Sequence, residues 1–245
     1  MAEDSKNEEI MVPADADAES AEAARARPKA ARKAGAAKDQ SAELDEQMLF
    51  ETYDTKGIAV SDQSLEAYVK LRKTAYPNMF GRRRHLSYYN AHLDIVERFM
   101  NKLMRGGTGK KVSGKVIRRK GSLQGKKLKV LHVIEEAFVI IRERTGKNPV
   151  QLLIDAVQNA APIEDTTRVR YGGISYNVAV GISSQRRLDV ALRNLAMAAL
   201  ISSFKNRKTL AEAVASEITL AAANSADSYA IKKRVESERI AKRAR

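Results

Sequence analysis

The sequence has no cysteine and no tryptophan. Without thiols there is no disulfide scaffold, thiolate nucleophile or iron–sulfur ligand, and a zinc site would have only His85, His92 and His132 to draw on. Aromatic residues make up 5% of the 245 residues, so a core drawn from the 44% that are hydrophobic is mainly aliphatic. No apolar stretch approaches the ~20 residues that span a bilayer, and the acidic N-terminus lacks the basic start and apolar run of a secretory signal. These absences predict a soluble intracellular protein with no membrane partner and no cofactor.

Positive charge is abundant: 44 Lys and Arg face 30 Asp and Glu, a formal net charge of +14. Such a balance points to a polyanionic partner. Residues 1–48 carry twelve acids and seven bases, so this segment is net −5 and the rest of the chain is net +19. The segment is rich in alanine and charge and nearly free of large apolar side chains, too little to offset its ordering entropy. It is read as a disordered charged extension, the alternative being a solvated alanine-rich helix. Residues 49–245 are then one basic domain.

From about residue 62 the apolar spacing is helical. Leu93, Val96, Met100 and Leu103 form one face, and Leu131, Ile134, Phe138 and Ile141 another, ended by Gly106-Gly107 and Gly146 respectively. A helix opening at Pro149 runs toward Pro162, and later helices are expected over about 184–204, 208–223 and 227–243. One stretch breaks the period. From Arg168 to Val180, apolar and polar residues alternate on both sides of Gly172-Gly173, the mark of a β-hairpin over about 166–181. A two-residue turn there pairs Tyr171 with Ile174, Val169 with Tyr176 and Thr167 with Val178. Val169, Val178 and Val180, nearer its base, are expected to pack on the helices. The fold class is therefore mainly α, a bundle of about six helices with a protruding two-stranded hairpin.

The basic residues are clustered. From Arg98 through Ile134 stand twelve Lys and Arg, Arg98 included, without one acid, among them Lys110, Lys111, Lys115, Arg118, Arg119, Lys120, Lys126 and Lys127. Such a glycine-rich basic stretch suits a path along phosphates. Gly109 to Lys115 formally matches part of a nucleotide-binding P-loop, but Val116 stands where a magnesium-binding hydroxyl is needed, and a helix precedes it. A second acid-free run, Ala67 to Leu93, holds Arg82, Arg83, Arg84 and His85 beside Tyr88 and Tyr89. Guanidinium forks bind phosphate and stack on bases, and tyrosines offer stacking faces, a combination suited to RNA.

After the hairpin, Ser183 or Ser184 is an N-cap, and Arg186, Arg187 and Arg193 lie on the polar side of the helix. Asp189 stands four residues before Arg193, the spacing of an intrahelical ion pair, so Arg186 and Arg187 are the stronger RNA candidates. Lys205, Asn206 and Lys208 form a basic link, and Lys232, Lys233 and Arg234 open a basic last helix that is equally readable as a solvated face. No acid/base pair or nucleophile motif supports an enzyme. A helical DNA-binding or chromatin protein remains the alternative, because charge alone does not separate DNA from RNA.

Several segments, in order, carry a resemblance: Thr145-Gly146-Lys147-Asn148-Pro149-Val150, Asn159-Ala160-Ala161-Pro162, Arg170-Tyr171-Gly172-Gly173-Ile174-Ser175-Tyr176, Ser184 to Asn194, Ser203-Phe204-Lys205-Asn206 and Tyr229-Ala230-Ile231-Lys232-Lys233. Together they resemble the universal small-subunit ribosomal protein number seven family over nearly all of residues 50–245. The glycine- and lysine-rich insertion at about 106–127 is similar to its archaeal branch. The resemblance implies a structural, non-enzymatic protein of the cytoplasmic ribosome, bound to the 3′ major domain of small-subunit rRNA and helping to organise head assembly. It also implies that the hairpin, through Arg168, Arg170, Tyr171, Gly172, Gly173 and Tyr176, lies near exit-site tRNA and the mRNA exit path. Head and platform proteins including numbers nine and eleven are its implied neighbours.

Overall fold

A computed structural model describes residues 48–245 except 73, 80, 82–84, 86–88 and 108–122. Seven α-helices and one hairpin follow in chain order among these residues: α1 (Gln63–Glu66), α2 (Ile95–Leu103), α3 (Lys127–Thr145), α4 (Pro149–Ala160), β1 (Glu164–Tyr171), β2 (Ile174–Gly181), α5 (Ser184–Ser203), α6 (Leu210–Ala222) and α7 (Tyr229–Arg243). Six of the helices have nine residues or more, which matches the bundle read from the spacing.

Local chemistry sets the helix ends. The Asp94 carboxylate accepts from Val96 N and opens α2. Asn148 does the same from Val150 N ahead of Pro149, whose missing N–H is no loss in the first turn. Gly146 closes α3 in the left-handed region at φ +66°, where a Cβ would strain. Thr209 and Glu212 form a reciprocal capping box at the start of α6.

Helix α6 is central: α3, α4 and α5 all pack on it. Its buried face is Ala211, Ala213, Val214, Ala215, Ile218 and Ala221, and α5 answers with Ala191, Leu192, Leu195, Ala196 and Ala199. Small side chains let these helices approach closely. The few aromatics are concentrated elsewhere. Phe138 of α3 meets Phe50 and Tyr53 edge-on at 5.9 and 5.8 Å, and with Leu49 these two residues join the core ahead of the first expected helix.

The hairpin has the register expected from the sequence, with Tyr171 opposite Ile174, Val169 opposite Tyr176 and Thr167 opposite Val178. Gly172 and Gly173 both take positive φ, +57° and +84°, as a two-residue primed turn requires. The expected packing of its valines does not occur. Val169, Val178 and Val180 are 47%, 42% and 40% exposed. The hairpin is held at its foot instead: Ile182 N donates to Ile163 O, Ile163 N donates to the Glu238 carboxylate of α7, and Arg245 pairs with Glu164. Only the first three residues of β1 are half-buried; the next five are exposed on both faces.

Candidate nucleic-acid interface

The hairpin presents two chemically distinct sides. Arg168 and Arg170 share one face with Ser175 and Asn177, while Tyr171, Ile174 and Tyr176 share the other, Tyr171 being 82% exposed. One side thus offers guanidinium forks and hydroxyl and amide donors, and the other offers flat apolar and aromatic surface.

Among the other expected contacts, His85, Lys126, Arg186, Lys205, Asn206, Lys208 and Lys232 are exposed. The Asn206 amide donates to Ser202 O, and the Lys208 ammonium donates to Ser216 Oγ. Lys233 is half-buried and pairs with Glu236 one turn on; that bond raises the lysine pKa and holds the glutamate below its ordinary value. Arg234, also half-buried, donates to Asn159 O and to Asn224 Oδ1, tying α7 to α4 and to the end of α6. Arg82, Arg83, Arg84, Lys110, Lys111, Lys115, Arg118, Arg119 and Lys120 lie outside the described residues, as do residues 1–47.

Two expected contacts are engaged inside the protein. Arg187 is 9% exposed, and its guanidinium donates to Pro162 O at 3.2 Å, to Asp62 Oδ2 at 2.8 Å and to Ser64 Oγ. It joins the start of α1 and the end of α4 to α5. Lys127 donates to Glu97 and, at 3.0 Å, to Asn78 Oδ1. Geometry gives both a structural role that periodicity did not suggest.

The expected pair within α5 is also different. Asp189 accepts from Arg98 at 3.3 Å and Lys102 at 3.1 Å, both on α2, and Arg193 is exposed. Arg98 is 2% exposed and also donates to Tyr68 O; burial pulls its pKa down and Asp189 opposes the shift.

Helix α2 thereby carries a set of buried ions that sequence reasoning missed. The Asp94 carboxylate accepts from Arg72 N and Val96 N, each at 2.8 Å, and burial pushes its pKa up to about 6 against those hydrogen bonds. Glu97 accepts from Met79 N at 3.1 Å. With Ile95 N donating to Lys70 O, these side chains hold the backbone at Tyr68, Lys70, Arg72 and Met79, within the acid-free run, onto the bundle. The signal in the sequence was charged residues at 94, 97 and 98 set among Leu93, Ile95, Val96, Phe99 and Met100.

Nothing in this arrangement resembles an active site. No group of His, Asp and Glu that could hold a metal occurs among the described residues, and no described helix is long and apolar enough to cross a membrane. The geometry is that of a basic helical body bearing a two-faced projection, a design for contact with polyanions. Residues 68–245 match the family described as ribosomal protein S7p/S5e. The chain belongs to this family. It is similar to the small ribosomal subunit protein uS7 of Archaeoglobus fulgidus, 40% identical over 201 residues covering 82% of this chain and 96% of that protein. The uS7 of Methanococcus maripaludis is 40% identical over 198 residues, 80% of this chain and 98% of that one. Both relatives are archaeal, as the resemblance implied. Family membership makes the chain a structural, non-enzymatic protein of the small subunit of the cytoplasmic ribosome, and rRNA binding is general to the family. The DNA-binding alternative gains no support from these matches.

Proposed function

We propose that the chain binds the 3′ major domain of small-subunit rRNA, helps organise assembly of the subunit head, and holds its hairpin near exit-site tRNA and the mRNA exit path. Head and platform proteins including numbers nine and eleven are its neighbours in this reading. The observation that carries it is the hairpin. Five residues of β1, roughly 16 Å of strand at about 3.3 Å each, stand exposed on both faces beyond a foot pinned to α7. An isolated hairpin is marginal in water, so one that contributes so little to the core is better explained by what its tip meets. Arginines on one side and tyrosines on the other suit phosphates and unstacked bases. The exposed cations of the body, with the acid-free segments at 67–93 and 98–134, supply the wider anchoring surface.

The test separates reach from anchorage. Replacing Arg170 to Tyr176 by a tight glycine-containing turn leaves incorporation into reconstituted small subunits nearly intact, and alters exit-site tRNA retention or reading-frame maintenance in a translation assay. Incorporation lost with exit-site behaviour unchanged refutes the assignment.

A further inference from the structure

Because Asp189 is taken by α2, a basic cleft opens between α2 and α5. Its first part, about 320 Å³, is lined by Lys102, Arg105, Arg186 and Arg193 around the single carboxylate of Asp189. Its second part, about 210 Å³, shares Lys102, Arg105 and Arg193, reaches Gly107, and has an apolar floor that includes Met197 and Leu200. The two parts are continuous through the shared cations.

Four features fit this cleft to a strand of phosphodiesters. Arg186 and Arg193 are seven residues apart, two turns of one helix, so they lie on one side of α5 about 10 Å apart at 1.5 Å per residue. That span exceeds one phosphate-to-phosphate step of a single strand, so the two arginines meet different phosphates. Arg105, Arg186 and Arg193 are exposed, free to present forked donors to phosphate oxygens. The one acid that would repel a phosphate is held by buried Arg98 from beneath and by Lys102 from the side, and an ammonium has donors left for a second partner. The apolar floor suits the sugar and base side of a strand whose phosphates face the cations.

We propose that the α2–α5 cleft is a track for the phosphodiester backbone of one rRNA strand, with Lys102, Arg105, Arg186 and Arg193 meeting the phosphates. This rests on the rRNA-binding reading above and deepens it, joining Lys102, Arg105 and Arg193 to Arg186 in one track. Asp189 acts as a positioning residue that fixes Lys102 at the wall.

The experiment uses the full chain and a transcript of the 3′ major domain, with affinity measured across a potassium chloride series. Each phosphate contact contributes roughly 0.7–0.9 to the slope of log K against log salt. Arg105→Gln with Arg193→Gln flattens the slope by about 1.4–1.8, while Arg105→Lys with Arg193→Lys keeps it close to the parent value. Lys56→Gln with Arg144→Gln, which removes two exposed cations elsewhere, leaves it unchanged. The track is overturned if the Gln pair at 105 and 193 keeps the parent slope, or if the 56 and 144 pair flattens it equally. In either case the parent's preference for this transcript over a large-subunit transcript still supports rRNA binding. Absence of that preference in the parent overturns both.

Discussion

Replacing Arg187 by Met tests whether this arginine belongs to the fold or to the RNA. Methionine keeps the length and apolar character of the stem and is a good helix former, so α5 itself loses little. What disappears is the guanidinium with its three acceptors: Asp62, Ser64 and Pro162 O. Asp62 keeps 30% of its side chain exposed and can turn to water, so the pair is not worth the 3–5 kcal/mol of a fully buried one. The carbonyl of Pro162, a buried residue, has less recourse, and an unsatisfied buried acceptor costs about 1–3 kcal/mol. Together these set the expected loss at about 2–4 kcal/mol, or a fall in melting temperature of about 5–15 °C for a domain of this size. Circular dichroism melts and urea titrations read the stability, and rRNA binding is measured below both midpoints. Because the guanidinium faces Asp62, the salt slope of binding is unchanged. A stability loss under about 0.5 kcal/mol together with a flattened slope would refute the structural assignment.

Asp94 gives a pH signature. Its folded pKa of about 6 lies above the ordinary 3.8, so its contribution to stability is full below pH 4 and lost as pH rises through 6, an amount of up to about 3 kcal/mol. Asparagine caps comparably and does not titrate, so the stability of Asp94→Asn relative to the parent rises between pH 4 and 6.5; a flat difference curve rules this out. Thr209→Ala removes one half of the capping box on α6 and costs about 1 kcal/mol, read by urea denaturation, and an unchanged midpoint would show the cap to be idle.

The parts of this fold legible in the sequence are those whose causes are local. Leu131, Ile134, Phe138 and Ile141 are all buried on α3 as their spacing predicts, and Gly146 ends the helix through its own backbone freedom. The hairpin register followed from Gly172-Gly173 and alternation alone. Alternation says which side chains share a face but not whether that face is covered, so the exposure of Val169, Val178 and Val180 had no signature. The same limit hid the partners of the arginines. Arg187 meets Asp62 from 125 residues away, and Arg98 meets Asp189 from 91 away, whereas the local clue, Asp189 four residues before Arg193, named the wrong partner. Phe50 and Tyr53 stand in a segment with no period of its own and enter the core because Phe138 offers their rings an edge.

The alanine face of α6 makes the bundle unequally tolerant of change. In a leucine-rich core the usual lesion is a cavity, but Ala211, Ala213, Ala215 and Ala221 have almost no side chain to lose, and the cost of cutting them to glycine is chiefly the ~1 kcal/mol of helix propensity. Growth is harder. A methylene added at the centre of a helix hemmed in by three others meets packed neighbours at once, at a cost of about 1–3 kcal/mol. Drift at the middle of this protein therefore proceeds by paired substitutions, one helix giving up volume where its neighbour gains it.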